Sequence, residues 1–278
     1  MANQKTNISG DPDLARFGKL LHQASGIHLG QRKSGLLSSR LGKRMKALGL
    51  DSLKQYYQRV TGDTTGGELE QLVDCLTTNK TEFFRETAHF RHFQKVALPE
   101  LKASPHRQGE PLRVWSAACS SGEEAYSLSL CGLEALGEGA PLKVLGTDIS
   151  GRMIQKALEG WYEAEKVRPI PPPLREKYLQ REDLEGHKGF RVAPTLKKYA
   201  FFSRLNLNDG DFPFRHPMDV IFCRNVMIYF GRPSQGNLVG RLAALLRRGG
   251  YLYTGLSESL IGVDHPLQMV EPSVYQKP

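Results

Sequence analysis

Between residues 12 and 80 apolar side chains recur at helical spacing: Leu14, Phe17, Leu20 and Leu21, then Leu69, Leu72, Val73 and Leu76. Intervals of three and four put such residues on one face of a helix, so this stretch predicts short helices in succession, with Ser52 and Gly67 near helix starts. No strand signal occurs in it. Phe90, Phe93, Val96 and Leu98 predict a further helix from about Glu86 to Lys102, and a loop over Ser104 to Pro111 then leads into a different pattern.

After Pro111 short apolar runs alternate with helical stretches, the mark of a parallel α/β sheet. Strands are predicted over Leu112 to Ala117, Leu142 to Thr147, Tyr199 to Leu205, Asp219 to Cys223 and Tyr251 to Thr254. Helices are predicted over Gly122 to Leu136, Arg152 to Glu159 and Ser234 to Arg248. Trp161 to Lys198 breaks the alternation with Pro169, Pro171, Pro172 and Pro173 and reads as an insertion. The fold class is therefore α/β with an N-terminal helical domain. Sheets of this kind bind ligands beyond the carboxyl ends of their strands, where functional residues are expected.

A hydrophobic content of 40% over 278 residues is enough for a substantial core. No apolar run approaches the roughly 18 residues of a membrane span, and Met1 to Gly10 is polar, so the expectation is a cytoplasmic protein without membrane insertion. Cys75, Cys119, Cys131 and Cys223 form no C-x-x-C pair, which argues against disulfides and zinc. His89 and His92 stand three apart with no third ligand at sensible spacing, so no metal is expected. Net charge is +9, and Arg32, Lys33, Arg40, Lys43, Arg44 and Lys46 form a run with no acid between Asp13 and Asp51. On a helix Arg40, Lys43 and Arg44 share a face, which is either a solvated surface or a docking surface for an acidic partner.

The first βα unit, Val114 to Tyr126, has Gly122 alone in place of a G-x-G-x-x-G fingerprint. A turn of Ala, Cys and Ser followed by Glu123 and Glu124 suits a cationic ligand such as S-adenosylmethionine better than a pyrophosphate. Asp148 closes the second strand, where an acid accepts hydrogen bonds from ribose hydroxyls. Asn206 and Leu207 follow the third predicted strand, either as ordinary turn residues or as an amide for an adenine edge with an apolar side chain for its face. Arg224 and Asn225 sit at the mouth of the next strand, where amino-group methyltransferases carry Asn-Pro-Pro-Tyr or Asp-Pro-Pro-Tyr; that motif is missing. Between the helical region and the α/β region, Thr77 to Glu86 sets polar residues against two phenylalanines, either a surface junction or an active-site lid in which Asn79 and Thr81 hold the cofactor and Arg85 guides an acidic acceptor.

Thr-Asn-Lys-Thr-Glu-Phe-Phe-Arg at 78–85, Trp-Ser-Ala-Ala-Cys-Ser-Ser-Gly-Glu-Glu at 115–124, Gly-Thr-Asp at 146–148 and Phe-Cys-Arg-Asn-Val-Met-Ile-Tyr-Phe at 222–230 together resemble the CheR family, bacterial chemoreceptor glutamate O-methyltransferases. The resemblance spans nearly the whole chain. It implies an N-terminal helical domain (1–88) and a Rossmann-like S-adenosylmethionine-dependent methyltransferase domain (89–278) with a small inserted β-subdomain (162–200). It also implies cofactor contacts from Asn79, Thr81, Arg85, Glu124, Asp148, Asn206, Leu207, Arg224 and Asn225, with Arg85 and Tyr229 facing the acceptor. The implied cofactor is S-adenosyl-L-methionine, leaving S-adenosyl-L-homocysteine. The implied partners are the cytoplasmic methylation helices of chemoreceptors, for which the face of Arg40, Lys43 and Arg44 is a candidate docking surface beside the solvated alternative, with a receptor C-terminal peptide at the β-subdomain of some members. The Gly-Pro-rich loop that accompanies peptide binding is not found in this sequence. A monomer with no nucleic-acid partner is expected, although an RNA methyltransferase or a non-catalytic cofactor-binding scaffold would share the fold and charge.

Overall fold

The computed structural model describes residues 12–28, 34–105 and 109–278. Met1 to Gly10, Arg32, Lys33 and part of the Ser104 to Pro111 loop lie outside the described residues. The chain divides into two compact units: residues up to Thr78 with Tyr229–Ser234, and Asn79–Ile228 with Gln235–Pro278. The division falls ahead of residue 88 because Phe83 and Phe90 are buried in the core of the second unit.

The first unit packs four helices, α1 (Pro12–Ser25), α2 (Ser34–Ala47), α3 (Leu53–Gly62) and α4 (Gly67–Leu76). Their apolar faces bury Phe17, Leu21, Leu41 and Leu72, and Phe17 stacks on Tyr56 with ring centroids 5.3 Å apart. Ser52 caps α3, its hydroxyl accepting the Gln55 amide at 3.3 Å. Two cations of the candidate docking face are engaged within the unit. Arg44 makes a two-pronged pair with buried Glu68 at 2.9 and 2.7 Å, and Glu68 also accepts the Tyr56 hydroxyl at 3.0 Å. Arg40 donates to the carbonyls of Leu76 and Thr77 at 2.6 and 2.8 Å, satisfying the C-terminal end of α4. Two of the three cations thus hold helices together, and Lys43 remains exposed.

The second unit opens with a helical run, α5 (Thr87–His92), a π-turn (Phe93–Ala97) and α6 (Leu98–Ala103), followed by a seven-stranded sheet. The chain runs β1 (Leu112–Ala117), α7 (Glu123–Leu136), β2 (Leu142–Asp148), α8 (Gly151–Glu159), β3 (Trp161–Glu163), α9 (Pro172–Tyr178), β4 (Leu179–Arg181), β5 (Gly189–Val192), α10 (Pro194–Lys197) and β6 (Ala200–Arg204). It continues through β7 (Met218–Cys223), α11 (Arg232–Leu245), β8 (Leu246–Thr254), β9 (Gln268–Glu271) and β10 (Val274–Gln276). The large sheet has the order β6-β2-β1-β7-β8-β10-β9, parallel except where β10 pairs antiparallel with β8 and β9. All six residues of β7 are buried, as a strand covered on both faces requires. From β1 the chain builds outward first through β2 and β6, then on the other side through β7 and β8. The direction therefore reverses between β1 and β7, and their carboxyl ends form the crevice in which such sheets bind ligands.

β3, β5 and β4 make a separate three-stranded antiparallel sheet within the insertion. Trp161 Nε1 donates to the Glu182 carbonyl at 2.9 Å, and Arg191 pairs with Glu182 through Nη2 at 2.6 Å. Among the described residues no helix is long and apolar enough to cross a membrane.

Candidate active site

The turn after β1 carries three residues with positive φ: Ala118 (65°), Ser120 (50°) and Gly122 (94°). For Ala and Ser this conformation costs on the order of 1–2 kcal/mol each, so surrounding bonds must hold it. They do. The Cys119 amide donates to the Thr147 carbonyl at 2.8 Å, the Ser120 amide to Asp148 Oδ2 at 2.8 Å, and the Tyr162 hydroxyl to the Ser121 carbonyl at 2.6 Å. Asp148 Oδ1 accepts the Ser150 amide at 2.9 Å, while Ser150 itself caps α8 through the Met153 amide at 3.2 Å. Capping falls to Ser150, and Asp148 ties the turn after β1 to the start of α8.

Glu123 and Glu124 separate at the start of α7. Glu123 is fully buried, accepting from Ser121 Oγ at 2.7 Å and Lys166 Nζ at 2.8 Å. Glu124 accepts from Ser116 Oγ at 2.7 Å and Arg224 Nη1 at 3.0 Å. The acidic rim expected from both glutamates is therefore formed by Glu124 without Glu123. Desolvation pushes the Glu124 carboxyl up against the pull of Arg224.

Arg224 and Asn225 occupy the mouth of β7. The Arg224 guanidinium pairs with Glu86 at 2.9 Å and Glu124 at 3.0 Å, and also donates to the Arg85 carbonyl. Burial acts to raise Glu86, but Arg224 overrides it and holds that carboxyl below its ordinary range. Asn225 has φ 58°, and its amide donates to Glu258 Oε2 at 2.6 Å, its side chain to Glu86 Oε1 at 3.2 Å. Glu258 also accepts the amides of Gly255 at 2.7 Å and Ile228 at 3.2 Å. A Cβ on Gly255 would stand 2.6 Å from both Asn225 Nδ2 and Glu258 Oε2, so only glycine lets β8 and the β7 mouth approach this closely. Behind them His89 is buried with its Nδ1 3.4 Å from Glu86 Oε2; burial, then the Arg224 charge, push its imidazole down to about 4. His92 is buried with Nδ1 2.8 Å from the Tyr253 hydroxyl.

Among the remaining expected residues, Asn79 is joined to the turn through its carbonyl, which accepts Ser120 Oγ at 3.1 Å. Thr81 is half-buried in the same segment. Arg85 Nη1 donates to the Lys80 carbonyl at 3.0 Å, closing that segment on itself. Asn206 bonds Asp209 Oδ1 at 2.7 Å and accepts the Asn208 amide at 3.1 Å, while Leu207 is buried. Arg241 from α11 donates to the carbonyls of Leu207, Asp209 and Gly210 and fixes this turn. Tyr229 packs with the helical unit, its carbonyl accepting the His28 amide at 2.7 Å.

Glu86, Tyr162, Lys166 and Glu258 had no role in the sequence reading. An acid shortly after a parallel strand is itself a signal, and Glu258 follows β8 in that way. Around Arg224 and the turn, Glu86, Glu124 and Asp148 set three carboxylates against one buried guanidinium, an excess of negative charge that fits a cation.

Residues 79–276 match the family described as CheR methyltransferase, SAM binding domain, and residues 12–77 match CheR methyltransferase, all-alpha domain. The chain belongs to the CheR methyltransferase family. It is 36% identical to the chemotaxis protein methyltransferase of Borreliella burgdorferi, over 99% of this chain and 97% of that one. It is 37% identical to chemotaxis protein methyltransferase 2 of Pseudomonas aeruginosa (95% and 92% covered) and 34% identical to the Escherichia coli chemotaxis protein methyltransferase (95% and 90%). This CheR-family chain is thus an S-adenosylmethionine-dependent methyltransferase in which an all-α domain is followed along the chain by a domain with a mostly parallel, Rossmann-like sheet.

Proposed function

We propose that the chain transfers the methyl group of S-adenosylmethionine to glutamate side-chain carboxylates of chemoreceptors, yielding methyl esters and S-adenosylhomocysteine. The supporting observation is the mouth of β7: Arg224 and Asn225 are locked by Glu86 and Glu258 where an amine-methylating enzyme would present acceptors for an amino group. Relatives of similar length named chemotaxis protein methyltransferase support a role in chemotaxis.

In this reading Asp148 holds the ribose, Asn206 and Leu207 the adenine, and Asn79, Thr81, Glu124, Arg224 and Asn225 the methionine end. A glutamate has a reference pKa near 4.3 and is ionised at pH 7, so no general base is needed. A carboxylate oxygen forms the bond to the methyl carbon as the carbon–sulfur bond breaks, its electron pair going to sulfur. Catalysis is alignment of three atoms in a dry site. Arg85 orients the carboxylate, and Tyr229 faces the acceptor. Glu86 and Glu124 offset the charge of Arg224, so this second cation does not hold the acceptor in its ground state. The acceptor lies on the cytoplasmic methylation helices, and the enzyme acts in the cytoplasm as a monomer. A receptor C-terminal peptide would add to β3 or β4, the edge strands of the small sheet.

The test is transfer of a labelled methyl group to receptor cytoplasmic fragments, with the product losing its label as methanol in mild base. Asp148→Ala is expected to weaken cofactor binding about 10- to 100-fold, the worth of charged hydrogen bonds, and Arg85→Ala to lower turnover with little change in that affinity. A base-stable product, or label found on RNA and not on receptor, refutes the proposal.

A further inference from the structure

The small sheet reaches the turn after β1 through two side chains. Tyr162, central in β3, is buried with its ring edge-on to Phe83 at 4.9 Å, and its hydroxyl donates to the Ser121 carbonyl at 2.6 Å. Lys166, in the turn that follows β3, sets Nζ 2.8 Å from Glu123 Oε1, while Glu123 Oε2 accepts Ser121 Oγ at 2.7 Å. The carbonyl and the hydroxyl of Ser121 are thus fixed from the insertion, the carbonyl directly and the hydroxyl through Glu123. The neighbouring amide, of Ser120, is the one that meets Asp148.

The pairing is not an ordinary surface ion pair. Lys166 is 48% exposed, but the Glu123 side chain is fully buried. An exposed pair contributes little, whereas removing the partner of a buried carboxylate leaves an uncompensated charge. The turn also has no slack on that side: a Cβ on Gly122 would lie 2.8 Å from the Ala157 Cβ and 3.1 Å from the Tyr162 hydroxyl.

We propose that the inserted sheet is a working part of the cofactor site, Tyr162 and Lys166 being positioning residues that hold Ser121, and with it the Ala118–Gly122 turn, in the conformation that receives the cofactor. The inference rests on that turn and Asp148 being the cofactor's seat.

The experiment is calorimetric titration of the full chain with S-adenosylmethionine and with S-adenosylhomocysteine. Lys166→Met and Tyr162→Phe are each expected to raise both dissociation constants by the same factor, about 2- to 30-fold, the range for side chains acting through a packed network. Lys166→Arg should stay near the parent, and Glu123→Gln/Lys166→Met should recover most of the loss. Tyr162→Phe keeps the buried ring, so it remains informative if Lys166→Met does not fold. Electrostatics alone gives a different sign. Uncovering Glu123 would tighten the sulfonium-bearing donor relative to the product, which lacks that charge. Such a split, or unchanged affinity for both ligands beside a lowered unfolding midpoint, overturns the positioning role. Asp148→Ala is the control. Normal affinity in that variant removes the seat itself, whereas weakened binding there with normal Lys166→Met and Tyr162→Phe removes the positioning role alone.

Discussion

Replacing Arg224 with methionine tests the electrostatic logic of the site most directly. The guanidinium is 1% exposed and lies 2.9 Å from Glu86 and 3.0 Å from Glu124, so Arg224→Met deprives two carboxylates of their common partner. Breaking a buried pair from one side costs about 3–5 kcal/mol. Glu124, already pushed up by desolvation, relieves part of this by taking a proton, whereas Glu86 loses the group that holds it ionised. The lower end, about 3 kcal/mol, is therefore expected at neutral pH. With a urea dependence of about 1–3 kcal/mol per molar, the midpoint falls by roughly 1 M or more. Both tryptophans, Trp115 and Trp161, lie in the second unit, so their fluorescence reads its unfolding. The triple variant Glu86→Gln/Glu124→Gln/Arg224→Met removes all three charges and should return to within about 1 kcal/mol of the parent, since neutral replacement of a buried cluster costs little. Its cofactor affinity should stay low. An Arg224→Met protein within about 1 kcal/mol of the parent would falsify the claim that Arg224 is held by necessity.

Three further outcomes are expected. His89 has its folded value depressed to about 4 from an ordinary 6.5, so its contribution is full above pH 6.5 and lost as pH falls toward 4. The unfolding free energy should decline there by at most about 1.4 kcal/mol per pH unit, and His89→Phe should flatten the profile; an unchanged slope in that variant sinks the assignment. Arg44→Glu faces Glu68 and should destabilise the helical unit by about 3 kcal/mol or more in circular-dichroism melts, whereas Lys43→Glu, on an exposed side chain, should shift stability by under about 0.5 kcal/mol. Equal effects would mean Arg44 is a surface charge after all. Gly122→Ala meets both positive φ and the Ala157 Cβ, and should cost about 2 kcal/mol of stability, with Ala157→Gly in the same chain restoring part of it in denaturant titrations.

The sequence made β1, α7, β2 and β7 legible almost to the residue because each is a mostly apolar, largely buried run bounded by turn residues. β9 was missed since its four residues are all exposed at a sheet edge and show no alternation. The strands of the small sheet, three or four residues long, are too short for any periodicity. Helical spacing put Arg40 and Arg44 on one face correctly but carries no information about what covers that face, which is α4 and Glu68. Glu86 and Glu258 escaped notice for a related reason. Their partners lie 138 and 33 positions away in the chain, a proximity that the fold alone creates.

Glu258 gathers three backbone amides from two loops, those of Asn225, Ile228 and Gly255. The loop after β7 and the loop after β8 consequently behave as one heritable part. In a chimaera that exchanges the loop after β8 for another sequence, the graft must bring both the acid and the glycine or leave the amides of Asn225 and Ile228 without this acceptor. Substitutions at 225, 255 and 258 should therefore travel together, and a library that varies them singly will sample mostly dead ends.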